Sequence, residues 1–262
     1  MSIGSPLQGK LFISTRAENR SGELKEYFAH AGAELLELPL IAINPLAVSP
    51  SGKNKLEKAG TFDWVIFTSE NGVMHFMEEY QKVTGSVSLP AQTGIAAIGP
   101  KTAKVAVKYG LSPRFISRTS NATGFSDELI SLFQGRHPRI LWPTGSLSPV
   151  TLTDKLKRFC DIERLDLYQT LLPEKINQSV LQLVVDNLYD MIFFFSPSAV
   201  RNFCSITRER QINRVQLKAA CIGPVTRDTC IELNIVPSFT SLIPETAALF
   251  ESTLDYFRSK EK

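Results

Sequence analysis

Histidine is scarce in this chain and cysteine is scattered. His30, His75 and His137 lie far apart, and Cys160, Cys204, Cys221 and Cys230 show no C-x-x-C spacing, so the chain spells out neither a metal-ligand cluster nor a disulfide framework. Apolar neighbours around each cysteine predict reduced, packed thiols. The phosphate-binding patterns G-x-G-x-x-G and G-x-x-x-x-G-K-[ST] are missing, and so are G-x-S-x-G, H-E-x-x-H and a Ser, His, acid set. The usual fingerprints of dinucleotide enzymes, P-loop enzymes, α/β-hydrolases and zinc proteases are therefore absent. No run of Lys or Arg forms a stripe, and a net charge of +3 with 21% charged residues is too mild for a nucleic-acid surface. No segment approaches membrane-spanning length. The first apolar run begins at Leu11, too late and too short for a signal peptide. The expectation is a soluble, cytoplasmic protein without nucleic-acid or membrane partners.

What the chain does have is a repeat. At 262 residues and 43% hydrophobic it lies near the length at which one domain becomes two, and two stretches read almost alike: "DWVIFTSENGVMHF" from Asp63 and "DMIFFFSPSAVRNF" from Asp190. Asp63 matches Asp190 and Ser69 matches Ser196 at a shift of 127; in each copy a β-rich run ends in Ser before a helical pattern. "IAAIGPKTAKVAVKYGLSPRFIS" from Ile95 then pairs with "KAACIGPVTRDTCIELNIVPSFTS" from Lys218 at a shift of 124, aligning Gly99 with Gly223 and Thr102 with Thr226. An earlier pair, "KLFISTR" from Lys10 and "RILWPTG" from Arg139, followed by "ELLELPL" from Glu34 and "ERLDLYQ" from Glu163, is in register at a shift of 129.

The chain thus reads A, B, A′, B′, each part alternating short apolar strands with amphipathic helices. That is the signature of βαβ units and a parallel sheet covered on both faces, and it predicts an α/β protein of two flavodoxin-like lobes. Pattern alone leaves open whether A packs with B, as consecutive domains, or with B′. In the second case the segments around Pro39 to Asn44 and Asp166 to Leu172 both pass between the lobes and can pair as a two-stranded linker, with Tyr168 at the junction.

Ligands of open parallel sheets sit beyond the carboxyl ends of the strands, where loops lead into helix N-termini. There the repeat places Gly99-Pro100 and Gly223-Pro224, whose glycines admit close approach and whose prolines sit where the helix needs no amide bond. Free amides and the positive helix end accept carboxylates or phosphates, with side-chain contacts offered by Ser69, Asn71, Thr102, Ser196, Ser198 and Thr226. Each also has a plainer reading: Ser and Thr before helices are common N-caps, contributing about 1 kcal/mol each, and a duplicated fold duplicates its caps. Arg16, just after the first strand, is placed for an anion or for solvent. Tyr168 is either functional or a half-buried linker aromatic. Asp63 and Asp190 read as turn formers rather than catalysts.

"FISTR", "VIFTSENGV", "AAIGPKTA", "LYQTLLP", "FFFSPSAV" and "ACIGPVT", in this order and over nearly the whole chain, resemble uroporphyrinogen-III synthase. The resemblance implies two flavodoxin-like lobes joined by a two-stranded linker. One domain is then discontinuous, residues 1–38 with 173–262, the other spans 45–165, and 39–44 and 166–172 are the linker strands. It further implies a cofactor-independent, metal-free enzyme, a monomer whose small-molecule substrate is hydroxymethylbilane. Loss of a hydroxyl as water, ring closure through a spiro intermediate and inversion of ring D give uroporphyrinogen III. Tyr168 matches the family's linker tyrosine, placed to donate to the departing hydroxyl. Thr226, Ser196 and Ser69 match positions lining its cleft. Where the family often has a small residue after the second motif's threonine, Arg227 implies either a shifted helix start or an added carboxylate contact. The rivals are a non-enzymatic two-lobed small-anion binding protein and a flavin or nucleotide protein.

Overall fold

The computed structural model describes residues 5–260 except Ser120 and Gln211. In chain order its elements are β1 (Leu11–Ser14), α1 (Gly22–His30), β2 (Glu34–Glu37), β3 (Ala42–Pro45), α2 (Pro50–Glu57), β4 (Trp64–Phe67), α3 (Glu70–Thr84), β5 (Gly94–Ala97), α4 (Pro100–Lys108), β6 (Phe115–Ile116) and α5 (Ala122–Phe133). There follow β7 (Arg139–Gly145), α6 (Thr151–Leu156), β8 (Asp161–Leu171), α7 (Gln178–Val185), β9 (Met191–Phe194), α8 (Pro197–Ile206), β10 (Ala219–Cys221), α9 (Pro224–Glu232), β11 (Phe239–Thr240) and α10 (Thr246–Lys260).

Among the described residues the strands form two sheets, ordered β11-β10-β9-β1-β2 and β3-β8-β7-β4-β5-β6. The chain divides accordingly into two compact units: the segment ending at Ala42 together with that from Leu171 onward, and Ile43–Thr170. The four pairings of the first sheet are all parallel, as are β8-β7, β7-β4, β4-β5 and β5-β6 of the second. Counting each A-type strand pair first, both sheets follow the flavodoxin-like order 2-1-3-4-5, with β3 added at the edge of the second. In the first unit A precedes its partner strands in the chain; in the second, A′ follows them. The sheet order therefore joins A to B′ and B to A′.

Period-two alternation in the strands builds two cores per unit, because successive side chains point to opposite faces. In the first unit Ile13, Ile192 and Phe194 pack against α7, α8 and α9, while Phe12, Met191 and Phe193 pack against α1 and α10. In the second, Val65, Phe67 and Leu141 meet α2, α3 and α4, and Ile66, Ile140 and Trp142 meet α5 and α6. With both faces covered, β9 reads MIFF and is buried throughout. All four cysteines are buried and free of disulfides.

Asp63 and Asp190 lie in the bends that lead into β4 and β9, and their carboxylates do more than shape those bends. The Asp63 carboxylate accepts the Arg139 amide at 2.8 Å and the Asp190 carboxylate accepts the Leu11 amide at 2.8 Å. Each aspartate ties the amino end of its strand to the neighbouring strand, at the opposite end of the sheet from the helix N-termini that follow β4 and β9.

Candidate functional site

Strand order reverses between β7 and β4 in the second unit and between β1 and β9 in the first, and the loops at those carboxyl ends frame the switch points. Ser69 and Ser196 stand there with nearly the same backbone, φ/ψ −161/157 and −159/156. Both are N-caps: Ser69 Oγ accepts the Gly72 amide at 2.9 Å and Ser196 Oγ the Ala199 amide at 3.2 Å. Asn71 and Ser198 occupy the first turns that these serines cap, and both are half-buried.

Thr102 and Thr226 are not caps. The N-caps of α4 and α9 are Gly99 and Gly223, in extended backbone and without a side-chain bond to the helix. A side chain at Gly99 would meet nothing within 4 Å, and at Gly223 only Pro244, at 3.6 Å; neither conformation nor packing demands glycine there. Thr102 and Thr226 lie three residues on, 5% and 3% exposed. Neither hydroxyl bonds to another described residue, yet no fully buried side-chain polar atom lacks a partner among those residues. The little surface these threonines keep therefore includes the hydroxyl. Helices α4 and α9 start at Pro100 and Pro224 and run nine residues each, so Arg227 does not shift the helix start; its guanidinium pairs with Asp228 at 2.7 Å.

In the first unit, the Arg16 guanidinium lies over the Phe195 ring at 4.4 Å and donates to the Arg20 carbonyl at 3.1 Å. Thr15 Oγ1 donates to the Phe193 carbonyl at 2.8 Å, joining β1 to β9 at the switch point. On α8, Asn202 Nδ2 donates to the Leu40 carbonyl at 2.7 Å.

The second unit carries the phenol. Tyr168 is 7% exposed, and its Oη lies 2.8 Å from Ser69 Oγ. The imidazole of His75, on α3, stacks on the phenol with centroids 5.2 Å apart and planes 27° apart. Burial raises the Tyr168 pKa above its ordinary 10, opposed by the bond to Ser69, by the Gly145 backbone and by the charge of Arg164. Burial, helped by the charge of Lys82, lowers His75 below its ordinary 6.5, against the pull of Glu78 and Glu79. What aims Tyr168 is a bulge: β8 pairs Thr144 with Asp166 but Gly145 with Tyr168, leaving Leu167 as the extra residue. Strict alternation would turn Tyr168 away from Leu167, yet Leu165, Leu167 and Tyr168 all pack in one core. Gly145 leaves the room, since a Cβ there would meet the Tyr168 ring at 2.6 Å.

The structure thus brings Ser69 and Tyr168 together, with Asn71 beside them in the first turn of α3. Sequence reasoning missed His75, Gly145 and Arg164. A signal existed in the differences between the copies: at the shift of 127, which the strand pairings also give, His75 faces Asn202 and Arg164 faces Glu37. Among the described residues no group of three or more His, Cys, Asp or Glu could hold a metal ion, and no helix is long and apolar enough to cross a membrane.

Fold and site define a class: a duplicated α/β protein of two flavodoxin-like units that present hydroxyls and helix amides at their switch points, with a buried phenol in one of them. Comparison with known proteins narrows this. The sequence profile described as uroporphyrinogen-III synthase HemD matches residues 22–251; the chain belongs to the uroporphyrinogen-III synthase family. The uroporphyrinogen-III synthase of Synechococcus elongatus is 28% identical over 242 residues, covering 87% of this chain and 88% of that protein. The porphyrin biosynthesis protein HemD of Ruminiclostridium josui is 25% identical over 235 residues, 88% of this chain but 45% of that protein, so the chain spans a little under half of it. A mutant uroporphyrinogen III synthase from Thermus thermophilus superposes with a TM-score of 0.61 at 17% identity, covering 96% of this chain and all of that one, a likeness of fold. The non-catalytic alternative finds no support among these relatives.

Proposed function

We propose that this protein converts hydroxymethylbilane to uroporphyrinogen III, with inversion of ring D and loss of one water, acting as a cytoplasmic monomer without a cofactor. Family membership supports the reaction. The observation that carries the site is the hydroxyl relay Gly72 N–H, Ser69 Oγ, Tyr168 Oη, with spans of 2.9 and 2.8 Å. Ser69 Oγ accepts the Gly72 amide and keeps its own proton to offer Tyr168; in the arrangement where Ser69 donates, the phenolic proton is left for the substrate's departing hydroxyl. That hydroxyl leaves as water, the pyrrole nitrogen supplies the electron pair, and the resulting cation is attacked by the substituted carbon of ring D. The spiro intermediate then reopens by breaking the bond between ring D and its original methylene bridge and recloses at ring D's free α-carbon, whose proton is released and balances the one the phenol gave.

The substrate's acetates and propionates suit Gly99, Thr102, Gly223 and Thr226, where helix amides and threonine hydroxyls coincide, and Ser69, Asn71, Ser196, Ser198 and Arg16 serve as further binding residues. The linker strands are 39–44 and 166–172, between the domains 1–38 with 173–262 and 45–165. Because the bilane closes unaided to the uninverted isomer, geometry has to dominate. Positioning can contribute up to roughly 7–11 kcal/mol, against about 10²- to 10⁴-fold for a general acid. The test is chromatographic isomer analysis of the oxidised product from purified protein and hydroxymethylbilane, with nothing else added. Isomer III in excess is expected, and isomer I alone rejects the activity.

A further inference from the structure

We infer that Arg164 is a positioning residue for this cyclisation: it fixes the loop 145–148 that follows β7 and, through that loop, the Tyr168 ring. The inference rests on the role given to Tyr168 above. Arg164 projects from β8 four residues before Tyr168 and spends its donors on one target. Nη2 donates to the carbonyls of Gly145 at 2.8 Å and Ser146 at 3.0 Å, Nη1 donates to the Ser148 carbonyl at 2.8 Å, and Nε is held by Asp166 at 2.7 Å. The guanidinium also lies over Trp142 at 5.3 Å, and the Arg164 carbonyl accepts from Lys55 at 2.9 Å.

The loop it grips is the one that shapes the phenol's setting. The Ser146 amide donates to the Tyr168 carbonyl at 2.9 Å, and the Tyr168 ring fills the space beside Gly145 that any side chain would occupy, 2.6 Å from an added Cβ. Moving the loop moves the ring, and with it the 2.8 Å contact to Ser69. A lysine cannot replace this grip, because a single ammonium does not reproduce a planar fork that reaches three carbonyls and a carboxylate at once.

The duplicated unit argues that the fold itself has no need of the guanidinium. Matched through the strand pairings, Arg164 beside Trp142 corresponds to Glu37 beside Ser14, a carboxylate that pairs with Lys25 at 2.7 Å, and the strand that holds Glu37, Glu34–Glu37, has no tyrosine. Arginine and phenol occur together in one unit, and both are absent from the matching positions of the other.

The experiment compares full-length wild type with Arg164→Met, Arg164→Lys, Tyr168→Phe and Arg164→Met combined with Tyr168→Phe. Turnover, KM and isomer ratio are measured on hydroxymethylbilane, with thermal unfolding to confirm folding. Arg164→Met should lower kcat by about 10- to 100-fold, the scale of an ångström-sized misplacement, with a smaller change in KM and more isomer I; Arg164→Lys should not restore kcat. In the Tyr168→Phe background the same change should cost less than about threefold, because both act on one unit. Wild-type kcat in Arg164→Met, full recovery by lysine, or a loss that multiplies in full with Tyr168→Phe overturns the inference. If Arg164→Met does not fold, Asp166→Ala, which removes the acceptor of Nε, should give the same signature to a lesser degree, and wild-type behaviour there also overturns it. Tyrosinate absorbance, read as the difference from the matching Tyr168→Phe protein, follows the contact without turnover. Removing the guanidinium should move the Tyr168 titration to higher pH, and an unmoved titration sinks Arg164 whatever the activity. Wild type that makes no uroporphyrinogen III while the titration moves would instead reject the activity and leave the contact standing.

Discussion

At the scale of residues, a phenol is a weak acid, and burial makes Tyr168 weaker still. Its value lies in staying protonated and in being aimed. Ser69 serves both ends, holding the first turn of α3 through the Gly72 amide and the phenol through its hydroxyl. Tyr168→Phe keeps the ring, its stacking on His75 and its packing, and removes one hydrogen bond. The expected stability loss is about 0.5–1.5 kcal/mol, while turnover should fall about 10²- to 10⁴-fold; denaturation and kinetics on the same preparation check both. The pH dependence has a definite sign. A folded pKa above the ordinary 10 means the donor form, and the stability tied to it, is fully present below pH 10 and is lost only as pH rises through the folded value. Turnover should therefore show no alkaline decline from Tyr168 between pH 7 and 10, and a tyrosine-dependent limb near 8 would contradict this.

At the scale of elements, one irregularity decides where the phenol points. The bulge in β8 sets Tyr168 opposite Gly145, and the two residues share one volume. Gly145→Ala pushes a methyl group into the ring at 2.6 Å, an overpacking expected to cost about 1–3 kcal/mol. Its larger effect should be kinetic, with turnover approaching that of Tyr168→Phe; a variant with wild-type turnover would show that the ring tolerates displacement. The elements themselves were legible in the chain: the run at Ile95 carried β5, Gly99-Pro100 and α4, and its copy at Lys218 carried β10, Gly223-Pro224 and α9. The cap reading held for Ser69 and Ser196 and failed for Thr102 and Thr226. The glycines take the cap position, and a proline immediately after them moves the threonine into the third helical residue. No composition rule could announce Arg164 or His75, because their partners lie across the sheet or on another element, out of reach of local pattern.

At the scale of the molecule, β1 sits inside a sheet whose neighbour β9 arrives far along the chain, with Phe12 beside Met191, whereas Ile43–Thr170 holds a whole six-stranded sheet and both of its cores. A fragment of residues 43–170 should accordingly unfold cooperatively in urea as an isolated domain. A fragment of residues 1–170 adds β1 and β2 without β9, and should leave those two strands unpaired on one side and prone to association. Circular dichroism and light scattering distinguish the two, and a featureless spectrum for 43–170 would refute the independence of that unit.

The chain by itself determined that there are two copies of a βα pattern, where their strands and helices fall, and that each sheet is covered on both faces, because these follow from periodicity over a few residues. Which copy of A joins which copy of B, and toward which core Tyr168 turns, was decided only by tertiary structure. Strand partners such as Phe12 and Met191 stand at opposite ends of a long stretch of chain, every local pattern serves either pairing equally well, and a bulge exists only in the register between two strands.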